Sequence, residues 1–203
     1  MTVREIIKEA LQLLGVLASG EDPSAEDHAK GLSSFRAMLF GMLGRGIGGQ
    51  TTDKIVTASP YEATPGEKIV WAGAGALTVT LPALLDNGRT VPASGARVVV
   101  TSGDQSGQWL YIGEKASWLR VGSITADTVS PLGETCDSAL VFLLAREIAT
   151  VFGVSPSGFV QQRANDAGNE IYSRFKPSSA GNIDSSIAGV YSTAFGGMWG
   201  IRR

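Results

Sequence analysis

Apolar residues recur at helical spacing from the start of the chain. They switch to strand-like alternation after residue 51 and return to helical spacing near residue 131. In the first segment Thr2 and Glu5 have the spacing of a capping box. Ile6, Ile7, Ala10, Leu11 and Leu14 follow on one face and Gly15 closes the end, so the pattern predicts a helix over 3–14. A second helix is expected from about residue 22, with Pro23 at its first position. It carries Ala29, Leu32, Phe35, Leu39, Met42 and Leu43 up to the glycines that begin at Gly44. Strands are predicted at 54–59, 68–72, 77–81, 96–101, 108–113 and 117–121. Between them lie turn sequences such as Pro65-Gly66, Asp86-Asn87-Gly88 and Ser102-Gly103-Asp104. A third helix, 134–152, has Leu140, Val141, Leu143, Leu144, Ile148, Val151 and Phe152 over so much of its surface that it must be central. A fourth begins at Ser155-Pro156 and runs to Phe175 through Val160, Ala164, Ala167, Ile171 and Tyr172, with Glu170 and Arg174 spaced as an exposed ion pair.

This order predicts a mainly α protein with inserted β (α+β): a four-helix bundle interrupted by a small antiparallel β domain. A two-helix hairpin of this length can hardly bury its apolar face alone, so residues 1–49 and 134–176 are expected to join as the two halves of one bundle. Residues 50–133 then project as the insertion, and 177–203 form a C-terminal docking arm.

The arm is the most informative stretch. Ile183, Ile187, Tyr191, Phe195 and Trp199 stand four residues apart in a background of glycine and serine, the composition of a linker that carries regular apolar anchors. On a helix the five anchors would spiral around half the circumference, whereas on an extended chain every fourth side chain points the same way, so an extended or partly helical arm is expected. Burying the anchors would gain about 8–15 kcal/mol gross at ~1.5–3 kcal/mol each. Ordering roughly 20 residues of backbone costs ~1–2 kcal/mol apiece. The arm is therefore expected to need backbone pairing with a neighbour, with Arg202 and Arg203 adding charge-assisted contacts. The alternative is a last helix packed on its own domain.

Composition narrows the function classes. The chain has 203 residues, 43% of them hydrophobic and 18% charged, an ordinary globular balance. The formal charge of -2 supplies no basic field for wrapping nucleic acid. The N-terminal sequence lacks a signal-peptide core, and the most apolar run, 139–145, is followed at once by Arg146 and Glu147, so a soluble chain made in the cytoplasm and no membrane span are expected. The single cysteine, Cys136, excludes an internal disulfide and reads as a small buried hydrophobe. His28, in the polar run Glu26-Asp27-His28, reads as solvated, and one histidine and one cysteine far apart make no zinc site. Glu21, Asp22, Glu26 and Asp27 read as surface acids at a helix start. The Gly44-Arg45-Gly46-Ile47-Gly48-Gly49 run has dinucleotide-loop spacing, but a helix precedes it and strands follow, so it reads as a joint into the insertion. No catalytic residue, metal or cofactor is expected. Trp71, Trp109, Tyr111 and Trp118 give the β segment the residues for carbohydrate or receptor binding, the alternative function from another class.

The helical half resembles the head-completion adaptor proteins of tailed bacteriophages, the head-to-tail connectors that form a ring beneath the portal. The opening Ile6-Ile7-Lys8-Glu9-Ala10-Leu11-Gln12-Leu13-Leu14-Gly15-Val16 looks like the first helix of that family, with its Leu-Gly-Val stop. Leu32 to Ile47, with Met38-Leu39 and the Gly46-Ile47 break, is similar to the second, and residues 134–152 and 156–175 resemble the returning pair. Two features depart from the family pattern: Met42 stands near the place of the usual tryptophan in the second helix, and the β insertion is larger than in the simplest members. The resemblance implies a structural virion protein at the neck between head and tail. It implies a homo-oligomeric ring, a dodecamer on family precedent, that binds the portal protein and a downstream tail or neck protein. DNA would pass through the channel without sequence-specific binding. The anchors Ile183, Ile187, Tyr191, Phe195 and Trp199, with Arg202 and Arg203, would then be the portal-binding residues.

Overall fold

The computed structural model describes residues 1–44, 51–81, 96–112 and 117–175. Helix α1, Val3–Leu13, begins as its sequence predicts. Glu5 N donates to Thr2 Oγ1 (3.3 Å) and Thr2 N donates to Glu5 Oε2 (2.7 Å). These bonds hold the Glu5 carboxyl below its ordinary pKa. Helix α2, Ala25–Gly44, starts two residues later than proline placement indicates, because Ser24 caps it: Asp27 N donates to Ser24 Oγ at 3.1 Å. A 3-10 turn, Glu134–Cys136, leads into α3, Asp137–Ala149, and Ser157 caps α4, Gly158–Phe175.

Among the described residues seven strands follow α2: β1, Thr52–Val56; β2, Tyr61–Glu62; β3, Glu67–Trp71; β4, Val79–Thr80; β5, Arg97–Val100; β6, Gly107–Ile112; and β7, Ser117–Arg120. Five form one sheet in the order β1-β3-β5-β6-β7, and β2 pairs with β4 in a second, two-stranded sheet. The expectation of an antiparallel β domain is overturned. β1 pairs with β3 in parallel, β3 with β5 in parallel and β2 with β4 in parallel, leaving only β5-β6-β7 antiparallel. Turn sequences between short strands read as hairpins, yet β1, β3 and β5 are neighbours that run the same way, which no tight hairpin can join. The centre of the sheet shows the matching burial: Val98 and Val100 of β5 are sealed and Arg97 is nearly so.

The expected self-contained four-helix bundle is overturned as well. α3 packs against α1, α2 and α4, and its remaining side is closed by the sheet and its exit rather than by helix alone. Leu110 of β6, Val121 and Ile124 just after β7, and Leu132 share one core with Ile6, Phe35, Leu144 and Ile171. The physical reason is the composition of α3: Leu140, Val141, Leu143, Leu144, Ala145 and Ile148 are all buried, so it needs cover over most of its surface. A separate cluster of Val56, Ile69, Val79, Val98 and Val100 fills the far part of the sheet.

Polar links fasten the two layers. Arg36 of α2 donates through Nε to the Ile124 carbonyl at 2.9 Å, and Arg97 of β5 donates through Nη1 to the Leu43 carbonyl at the end of α2. That carbonyl belongs to the last helical turn, where the carbonyls no longer have intrahelical donors. Burial pulls the Arg97 guanidinium below its ordinary pKa, but arginine starts high enough to stay charged at neutral pH. The chain start is fastened too: Val3 N and Arg4 N donate to the Thr128 and Ala126 carbonyls, each at 2.9 Å, and the Met1 amino group donates to the buried Asp137 Oδ2 at 2.8 Å.

Leu144→Ala is expected to cost about 2–5 kcal/mol in urea denaturation, whereas Ile55→Thr, at a side chain 71% exposed on β1, should stay within ~0.5 kcal/mol. Equal losses at the two positions would contradict the placement of the core around α3.

Candidate functional site

A groove of about 690 Å³ runs between α2 and α4 with α3 as its floor. Both walls have small residues: Ala37 and Gly41 on α2, Ala164 and Gly168 on α4. Leu143 lies below them, and Tyr172, 44% exposed, stands on the rim near the end of α4. Polar groups border the other end, where Arg146 Nη1 donates to Asn165 Oδ1 at 3.1 Å and Arg146 Nη2 donates to Glu147 Oε1 at 3.2 Å. An apolar floor with a few polar groups at its border is the usual build of a binding groove, and the volume lies within the ~300–1,000 Å³ common for such sites.

The glycines distinguish this surface from ordinary helix packing. About three turns earlier on α2, a Cβ at Gly31 would come 2.5 Å from Ile7 Cγ2, so α1 requires glycine there. At Gly41 an added Cβ meets nothing within 4 Å, and at Gly168 it meets only Leu143 Cδ2 at an ordinary 3.7 Å. Glycine inside a helix costs ~1 kcal/mol relative to alanine. The close approach that accounts for Gly31 has no counterpart at these two positions among the described residues.

The residues singled out from sequence fall elsewhere. Ile183, Ile187, Tyr191, Phe195, Trp199, Arg202 and Arg203 lie outside the described residues, as does 45–49 of the glycine run. Cys136 is buried and free, and it accepts from Arg174 Nη1 at 3.3 Å. Arg174, expected to pair with Glu170, instead reaches back to Thr135 Oγ1 (2.5 Å) and to this sulfur. His28 departs from its solvated reading. It is half-buried, its Nε2 has no hydrogen-bond partner, and burial beside the Arg4 cation lowers its pKa from 6.5, with Asp127 opposing. Trp71 donates from Nε1 to the Gly75 carbonyl and Trp109 to the Gln105 carbonyl, each at 3.0 Å, while Trp118 meets Tyr111 edge-on at 5.4 Å. Each of these three tryptophans packs on the sheet core.

Among the described residues no three His, Cys, Asp or Glu side chains gather in a metal-holding group, and no helix is long and apolar enough to cross a membrane. No protein-family model matches the chain, and no curated protein matches it. The signal that could have exposed the groove in the sequence is the small residues recurring at four-residue spacing, Ala37 and Gly41 on α2 and Ala164 and Gly168 on α4.

The His28 environment has a measurable consequence. Its folded pKa lies below the unfolded value, so the unfolded chain takes up the proton first, and stability falls as pH drops below about 6.5 until the folded pKa is passed. Chemical denaturation of the parent and His28→Gln at pH 7.5 and pH 5 should show the larger acid loss in the parent. An identical loss in both would remove His28 as its cause.

Proposed function

We propose that the protein is a structural association protein, a head-to-tail connector of a tailed bacteriophage that forms a homo-oligomeric ring on the portal and carries the DNA channel toward the tail. What carries the reading is the layout. Two antiparallel helical pairs, α1 with α2 and α3 with α4, enclose a strand-rich segment, and the chain continues from α4 into the spaced anchors Ile183 to Trp199. On this reading the protein has no catalytic task and works by association alone. The distal aromatics bury in portal pockets, as anchors of an interface do, and Arg202 and Arg203 meet acidic groups beside them. A ring multiplies one weak contact, because once one arm is seated the others bind at high local concentration. The net charge of -2 fits a channel through which DNA passes without being gripped. The site of action would be the virion neck, with a tail or neck protein bound below.

The test is co-expression with the portal protein of the same genome, full-length and truncated after Lys176, followed by native mass determination and imaging. A ring on the portal that is lost on truncation is expected. A chain that stays monomeric and ignores the portal in both forms would refute the reading and turn attention to glycan or receptor binding by the strand segment. Alanine at Tyr191, Phe195 or Trp199 should each weaken portal binding by about tenfold or more, a loss of ~1.4 kcal/mol or greater.

A further inference from the structure

The two flanks of α4 differ in relief. By the difference of their numbers Phe159 and Gly168 are nine positions apart, about two and a half turns, so they face opposite sides of the helix. On the Gly168 side lies the groove shared with α2, with Ala37, Gly41 and Ala164 in its walls. On the other side Phe159, 62% exposed, meets Phe142 of α3 edge-on with 6.0 Å between ring centroids, and the Arg163 guanidinium lies 5.5 Å from the centroid of the Phe142 ring. Leu13 near the end of α1, 40% exposed, lines a shallow depression with Phe142, so Leu13, Phe142 and Phe159 make one apolar patch. Its border is polar, with Glu9, Gln12 and Ser138. An exposed apolar patch rimmed by polar groups marks an association surface, and aromatic rings beside an arginine are the side chains that dominate interface energies.

We propose that patch and groove bind each other between copies of this chain, with Phe159 of one copy entering the groove of the next between Gly41 and Gly168. The groove has the inverse relief of the patch, hydrogen and methyl groups where the patch carries rings. A Cβ at Gly41 would meet nothing within 4 Å and one at Gly168 only Leu143 Cδ2 at 3.7 Å, so a foreign ring can approach the backbone there. A cavity of ~150 Å³ takes one benzene, and the groove has about 690 Å³. The charges match as well. Arg163, one turn from Phe159, makes no ion pair among the described residues, while the exposed Glu147 at the groove border accepts from Arg146 through Oε1 and has capacity for a second guanidinium.

The occupant is a second copy because each surface fits the other and neither fits itself. Two grooves face to face would enclose a void, and two patches would bring like Arg163 cations to one contact. With patch and groove on opposite flanks of α4 the contact is head-to-tail, so every copy that docks offers a fresh surface until a ring closes. The inference stands on these two surfaces and does not rest on portal binding.

The test is sedimentation velocity of the full chain alone from ~1 μM to ~1 mM, a span that covers weak specific contacts. Concentration-dependent association is expected. Its midpoint should rise about tenfold or more in Phe159→Ser and, separately, in Gly41→Leu with Gly168→Leu. Phe159 is exposed, and leucine is a better helix former than glycine at two sites with room for it, so both variants should keep the parent's helical circular dichroism. Mixing the variants decides the geometry: the first retains its groove and the second its patch, so together they should form a heterodimer and nothing larger. A parent that stays monomeric throughout, association untouched by either variant, or a mixture without heterodimer would each overturn the proposal. The portal takes no part in these measurements, so their failure leaves portal binding to be read separately, and failure of portal binding leaves them readable.

Discussion

The burial of α3 is the constraint on which the rest depends. A helix with Leu140, Val141, Leu143, Leu144, Ala145 and Ile148 spread around most of its surface leaves solvent only the stripe of Ser138, Phe142, Arg146 and Glu147, and is stable only when the rest is covered. α1, α2 and α4 each take a share of that surface, and Leu110, Val121, Ile124 and Leu132 complete it. The sheet is therefore continuous with the helical core on one side and fills a core of its own on the other. Asp137, at the first turn of α3, also receives the Met1 amino group, so the chain start is anchored to the same element.

Where helix meets sheet, the fastening is by guanidinium groups that reach backbone carbonyls. Arg97 and Arg36 come from different layers and serve different carbonyls, Leu43 at the end of α2 and Ile124 after β7. A buried carbonyl without a donor costs as much as a lost hydrogen bond, so these contacts both satisfy the backbone and set how far α2 can slide over the sheet. Their location explains why β5 can carry a charged residue in an otherwise apolar, centrally placed strand. The exposed flank of α2, by contrast, has no such fastening and opens onto the groove.

Element identity was legible because period and caps are local. Thr2 and Glu5 announce α1, and the apolar surround of α3 announces its central position. The six strands expected from alternation correspond to β1, β3, β4, β5, β6 and β7, whereas the two-residue β2 lies below what periodicity can register. Strand direction was not legible, since Pro-Gly and Asp-Asn-Gly sequences look alike whether they close a hairpin or interrupt a crossover. Arg174 was misread for a related reason: its spacing from Glu170 is local, but Thr135 and Cys136, brought in by the packing of α4 on α3, lie closer to its guanidinium. His28 looked solvated among acids, whereas the fold half-buries it with Arg4 of α1 and Asp127 nearby.

By itself the sequence determined which segments are helix or strand, that α3 must be interior, and that residues beyond Phe175 carry spaced apolar anchors, because propensity, periodicity and capping act between residues close in the chain. The tertiary structure alone decided that three strand pairs run parallel, that the sheet completes the helical core, and that Gly41 and Gly168, 127 positions apart by the difference of their numbers, border one groove. Those outcomes depend on contacts between distant segments, where packing of whole faces overrides any local signal.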